Sequence, residues 1–376
     1  MKRLIDMMSR MGGYYCPRRI LIIAGVIAAA FFGFLYYGCG NVSERTARKA
    51  YDLRISGKAD DAKALLEDAI AESPGDAIAH YELSRILFHM GLGKGREIFD
   101  YIERARNSID KAVELDPENV IYRYFAGRIA FMQAYVSLQG SEETAGEKVR
   151  QLCELYESVL KLKPDYHEAQ LFLVEIYGAL PKNLGGDSSR AELYASQLEK
   201  ADPVLGAKAR VILLPGTADL VEYWRKVVED HPGNLLALEE LGRTCLRHGQ
   251  GEEGIKQFEE VLKADPDHSI LLLDIARFHI MGGMRDAGVR EKNLPLVEAA
   301  LNRYLDTNPI IPLKAYALGL KAKVKYGFDK EEADKLNEEA MALDPYYSRA
   351  FGVPTPDLFV PVGEESHDHS YLFQPF

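Results

Sequence analysis

Between Leu235 and His268 the apolar positions fall into two helical stripes. Leu238, Leu241, Gly242 and Cys245 lie on one face of a first helix, and Ile255, Phe258, Val261 and Leu262 on one face of a second. Gly249 breaks the chain between them. Asp265-Pro266 ends the second helix, because proline has no N–H to give to a helix interior. A lone pair of amphipathic helices leaves its apolar faces in water, so the pattern predicts further copies on both sides.

The copies are present. The closing proline recurs at Pro74, Pro117, Pro164, Pro203, Pro232, Pro266, Pro309 and Pro345, and Ala69, Ala112, Val159, Val261 and Ala340 stand five residues before their prolines. Gly57 precedes Pro74 by the same interval as Gly249 precedes Pro266. This small residue, mid-unit glycine and closing Asp-Pro, over about 34 residues, resembles the tetratricopeptide repeat family. The resemblance spans roughly residues 43–345. It implies an all-α chain, a right-handed α-solenoid of about eight helix-turn-helix units, and a role as a non-catalytic interaction protein.

Some units are longer. Twenty-six residues separate Gly91 from Pro117 and Gly283 from Pro309, thirty separate Ala134 from Pro164, and unit four adds residues around Pro181–Gly186. The additions fall between the two helices of a unit, so they are expected to thicken one rim of the stack as loops. Tolerated length drift remains the alternative, because lengthening a surface loop costs little. Unit five, from Pro203 to Pro232, is short.

The first nineteen residues carry Lys2, Arg3, Arg10, Arg18 and Arg19, and Ile20 to Tyr37 follow without a charge. Such a run is just long enough to cross a bilayer as a transmembrane or signal-anchor helix, with the basic residues cytoplasmic and the repeats outside, in a periplasmic location. Tyr36-Tyr37-Gly38-Cys39 resembles the end of a bacterial lipoprotein signal, which makes Cys39 a lipidation candidate and a lipid-anchored lipoprotein the alternative. Beyond residue 40 the chain holds 41 Lys/Arg against 56 Asp/Glu, a net −15 that argues against nucleic acid as partner. Cys16, Cys39, Cys153 and Cys245 form no C-x-x-C pair.

No catalytic or cofactor constellation emerges. Gly91-Leu92-Gly93-Lys94-Gly95 follows a helix rather than a strand and lacks the Lys-Ser/Thr ending of a phosphate loop. His367-Asp368-His369 has no third ligand at helical spacing, so no metal is called. The informative rows come from overlaying the first helices, which in the resembled family line the concave face. The residue after the small position is Arg85, Arg128, Arg243 and Arg277 in units two, three, six and seven, with Tyr81 and Phe88, and Tyr124 and Phe131, flanking the first two at identical spacing. A guanidinium fork beside aromatic faces suits an acidic or C-terminal peptide. The competing reading is pairing within the helix, because Glu82, Glu239 and Asp274 lie three or four residues before Arg85, Arg243 and Arg277. Arg128 lacks such a neighbour.

The implied function is a membrane-tethered scaffold holding a protein or peptide partner in a bacterial cell-envelope assembly; a lipoprotein that handles a small ligand or works beside a transporter is the alternative. Residues 346–376 lose the helical period yet keep many apolar side chains. Tyr346 to about Val362 is expected to run extended over the last helices as a cap, leaving Ser370 to Phe376 to engage a partner. On this reading alkaline carbonate extraction leaves the protein in the membrane pellet, and Cys39→Ala abolishes acylation only if the lipoprotein alternative holds. Recovery of the full-length chain in the soluble fraction would rule out both forms of anchoring.

Overall fold

A computed structural model describes residues 42–140, 142–284, 286–349 and 356–365. Residues 1–46 and 47–376 form two units. The apolar run 20–37 and Cys39 lie outside the described residues, and no helix within them is long and apolar enough to cross a membrane.

Sixteen α-helices are present among the described residues, and they pair into eight hairpins that reproduce the sequence units. The pairs are α1 (42–55) with α2 (Ala59–Glu72), α3 (Ala77–Leu92) with α4 (Ile98–Leu115), α5 (Val120–Gly140) with α6 (Glu142–Leu162), and α7 (His167–Ala179) with α8 (Ser188–Ala201). Then come α9 (Pro203–Leu213) with α10 (Leu220–Asp230), α11 (Leu235–Arg247) with α12 (Gly251–Ala264), α13 (Leu271–Gly282) with α14 (Ala287–Asp306), and α15 (Ile311–Lys325) with α16 (Lys330–Leu343).

The closing prolines act as the sequence pattern implies. Before five of the closing prolines the preceding residue donates its N–H to the carbonyl of the small residue four positions back: Ser73 to Ala69, Asp116 to Ala112, Lys163 to Val159, Asp265 to Val261 and Asp344 to Ala340, at 2.8–3.0 Å. The next helix begins on a carboxamide or carboxylate cap. Asp76, Asp219, Asn234 and Asp329 each accept from the N–H three residues on. Within a unit, close approach needs glycine: a Cβ on Gly242 would lie 2.6 Å from the Phe258 ring.

The longer units differ from the expectation of rim loops. In units three and seven the extra residues are helical, giving α5 and α6 of 21 residues each and α14 of 20. The added residues continue the helices, and α14 does so with Pro295 inside it. Units two and four keep true loops, each with a single 3-10 turn, at Gly95–Glu97 and Lys182–Leu184.

The last unit returns to the first. His89 in α3 bonds Asp344 beyond α16 at 2.8 Å, and the Tyr346 hydroxyl donates to Asp60 at the start of α2. Lys94 stands over the Tyr346 ring. One core cluster consequently contains Ala50, Ile86 and Phe125 from the early units, Leu273 and Tyr316 from the late ones, and Tyr347 and Leu358 from the tail. The end faces that a stack must cover are therefore covered largely by each other.

Gly57 reports this closure. Its φ is +80°, and an added Cβ would meet the Leu343 carbonyl oxygen at 1.9 Å; Gly249, the same position in unit six, has φ +77° and nothing within 4 Å. Gly249→Ala is expected to lose about 1 kcal/mol, the cost of a left-handed alanine. Gly57→Ala is expected to lose roughly 2 kcal/mol more in urea unfolding, because the clash adds to the same strain. Equal losses would mean that the first and last units do not touch in solution.

Candidate functional site

At the junction of the first two units, two guanidiniums share one carboxylate. Arg54 of α1 and Arg85 of α3 both reach Glu82, at 3.5 and 2.7 Å, and all three side chains are fully buried. Burial and the neighbouring Arg85 lower the Arg54 pKa to about 10. Burial also works against the charge on Arg85, yet the bonded Glu82 holds its pKa above the ordinary value. The rings of Tyr51 and Tyr81 lie within 5.4–5.9 Å of these cations.

One carboxylate cannot meet all the donors of two guanidiniums, and backbone carbonyls of the C-terminal tail supply acceptors. Arg85 Nη2 donates to the carbonyls of Leu358 at 2.8 Å and Val360 at 2.6 Å. Arg54 also donates to Leu358, and the Tyr51 hydroxyl donates to the Phe359 carbonyl at 2.7 Å. The tail side chains lock in: Leu358 is fully buried, and Phe359 stands edge-on to Tyr347 and His89. Farther along, Glu365 pairs with Lys163 at 2.5 Å. Three successive carbonyls are thus read by side chains projecting from the first helices of two units.

This placement differs from a cap lying over the last helices alone. Residues 347–349 and 356–359 form 3-10 turns, and the tail bridges α15 and the first two units because the buried arginines need its carbonyls. Ser370 to Phe376 and His367-Asp368-His369 lie outside the described residues. No group of three His, Cys, Asp or Glu side chains among the described residues is arranged to hold a metal.

The structure separates the candidates named from sequence. Arg85 pairs with Glu82 and also holds the tail, so both readings of that position coexist. Tyr81, Phe88 and Tyr124 are buried in ring clusters, Tyr81 on Tyr122 and Phe125, Phe88 on Phe125, and Tyr124 on Tyr166 and Tyr156. Phe131 is half-buried near Phe172, and Arg128 stands 5.2 Å over that same ring. Arg243 bonds Glu239 at 2.8 Å and Asp274 at 2.9 Å, and Arg277 adds a 3.5 Å contact to Asp274, giving a buried charge chain between units six and seven.

Tyr51, Arg54, Lys163 and the tail carbonyls were missed. For Tyr51 a signal existed: counting back six residues from the mid-unit glycine reaches Arg85 from Gly91, Arg243 from Gly249, Arg277 from Gly283 and Tyr51 from Gly57. No spacing rule could foretell that the tail comes back to them.

Eight stacked antiparallel hairpins define an α-solenoid repeat protein. Tetratricopeptide-repeat family models match residues 53–94 and 221–283, so the chain contains tetratricopeptide repeats over those residues. No curated relative matches it. Among solved structures, a tetratricopeptide repeat protein from Parabacteroides merdae is 15% identical, over 80% of this chain and 93% of its own, with a TM-score of 0.35. YrrB, described as a TPR protein with an unusual peptide-binding site, is 20% identical over 54% of this chain and 93% of its own, with a TM-score of 0.30. MamA is 16% identical over 58% and 95%, with a TM-score of 0.29.

The charge chain of units six and seven gives a pH dependence. Burial alone would raise the Glu239 pKa, but Arg243 and His268, bonded to it, pull it down to about 2. Asp274, which shares Arg243, is pushed the other way by burial. Because the folded pKa of Glu239 is depressed, its stabilisation is present above about 4.5 and is lost as pH falls toward 2. That loss is on the order of 3 kcal/mol. Glu239→Gln should flatten the stability profile between pH 4.5 and 2 in denaturant titrations. An unchanged slope there would show that Glu239 is not the titrating group.

Proposed function

We propose that this protein is a membrane-tethered interaction scaffold whose concave groove takes a short apolar segment of a partner protein, and that its own residues 356–365 are the resident occupant of that groove. The observation that carries this reading is the pair of bonds from Arg85 to the Leu358 and Val360 carbonyls. A side chain that bonds backbone carbonyls recognises peptide main chain in general, with specificity left to the pocket that receives a side chain of the bound segment. Leu358 fills that pocket here. The groove therefore suits a neutral, leucine-bearing turn segment better than the acidic peptide that exposed arginines would favour, because Glu82 already offsets half of the cationic charge.

Tethering rests on the basic residues before the apolar run 20–37, which place the repeats across the membrane in a cell-envelope assembly. Cys39 offers a lipid anchor as the alternative attachment. The net negative charge of the repeats limits non-specific binding to anionic lipid or nucleic acid, which suits a protein partner.

Release of the tail tests the groove. In the full-length chain, Leu358→Asp places a charge in an apolar pocket and should free the segment. That variant is expected to bind a fluorescein-labelled peptide of residues 356–365 in trans, measured by anisotropy, while the unmodified chain binds it at least about tenfold more weakly. Adding Arg85→Ala should remove the gained binding, since each charged hydrogen bond contributes about 1.5–3 kcal/mol. Absence of trans binding in a Leu358→Asp chain that still melts cooperatively would refute the groove reading.

A further inference from the structure

A second concavity lies away from the tail, between α7, α9, α10 and α11. It encloses about 300 Å³ and is lined by Leu171 and Glu175 of α7, Lys208, Val211 and Ile212 of α9, Leu220 and Trp224 of α10, and Glu240, Arg247 and His248 of α11. The floor and walls are mostly apolar, with Trp224 1% exposed. The charges inside are few and unequal. Lys208 bonds Glu240 at 2.6 Å, and both are buried. Glu175 faces the cavity with no hydrogen bond or ion pair among the described residues. Arg247 and His248 stand at the exposed mouth.

A carboxyl group in such a place has two ways to avoid a lone buried charge: it keeps its proton, or a ligand brings a cation. Burial holds the Glu175 carboxyl well above the usual range, against the opposing pull of Lys208 on α9 and Arg128 on α5, with Glu240 on α11 adding to the rise. An anionic ligand fits less well. Lys208 is already bonded to Glu240, so an anion would sit beside two carboxyl groups and be left to the exposed Arg247 at the mouth.

We propose that this cavity binds a small organic cation, a primary ammonium on an apolar body, with the ammonium on Glu175 and the body against Trp224, Val211, Ile212 and Leu220. The ammonium supplies the donors that Glu175 lacks, and the apolar body replaces water along a largely hydrocarbon wall. The volume lies at the small end of ligand cavities, which suits a free amine rather than a folded partner. A cation beside Glu175 favours its ionised form, so binding of the cation and loss of the proton are linked.

Trp224 is the only tryptophan of the chain, so its emission reads this cavity directly. The full-length protein is titrated with 2-phenylethylammonium, and in parallel with the neutral isostere 2-phenylethanol and the anionic isostere 3-phenylpropionate. The ammonium is expected to give a saturable emission change at least about tenfold tighter than the alcohol, with the propionate weakest. Glu175→Gln, which keeps the shape and removes the charge, should erase the difference between ammonium and alcohol. Alcohol and ammonium titrating alike on the unmodified protein, tighter binding of the propionate, no saturation by the ammonium, or full ammonium affinity in a folded Glu175→Gln chain would each overturn the assignment. The comparison of the three isosteres on the unmodified chain decides the matter even if the variant fails to fold. None of these outcomes depends on the tail or on Arg85, so they stand apart from the groove's own test.

Discussion

Two buried guanidiniums, Arg54 and Arg85, meet a single buried carboxylate, Glu82, and the rest of the closed structure follows from that imbalance. A buried arginine without acceptors is among the most expensive groups a protein can carry, and a neighbouring arginine makes it worse. The carbonyls of Leu358 and Val360 answer it, because a backbone carbonyl brings a strong acceptor without adding charge. With the carbonyls comes Leu358, whose side chain closes the apolar space between the first units and the last. The charged cluster therefore selects the tail, and the tail joins the two ends of the stack.

That joining alters what a helical solenoid usually offers. In an open stack each first helix keeps one face for ligand, but in α3 the residues from Tyr81 to Gly91 are all buried. One side packs against α4 and α5; the other meets the tail and the turn after α16. The groove of the first units is thus a filled site, while the cavity near Glu175 is an open one. The two differ in chemistry as well as occupancy. The first presents donors to peptide carbonyls, and the second presents an unpaired carboxyl above an apolar floor.

Arginine at one register position also takes different roles along the stack. Arg85 reaches both its own helix and the tail, while Arg243 is held by Glu239 and by Asp274 of the following unit. Arg128, which has no acidic neighbour on its own helix, lies over Phe172 and within electrostatic range of Glu175. Spacing on one helix names the residues that face inward. What each meets there depends on the adjacent helix and, for unit two, on a segment more than 270 residues away.

The unit boundaries and the paired helices were legible in the sequence because they rest on local chemistry. Proline ends a helix, a small residue accepts the closing hydrogen bond, and Asp or Asn starts the next helix, all within a few residues of one another. The helical extensions in units three and seven were not legible, since residues that suit a loop and residues that suit another turn of helix overlap in composition. Closure of the stack and the course of the tail were decided only by tertiary structure. They depend on the small rotation between successive units, summed over eight hairpins, and no single residue encodes that sum. For the same reason Glu82 and Arg85 read from sequence as an ordinary helix-surface pair, and only the return of Leu358 shows them to be the centre of a buried site.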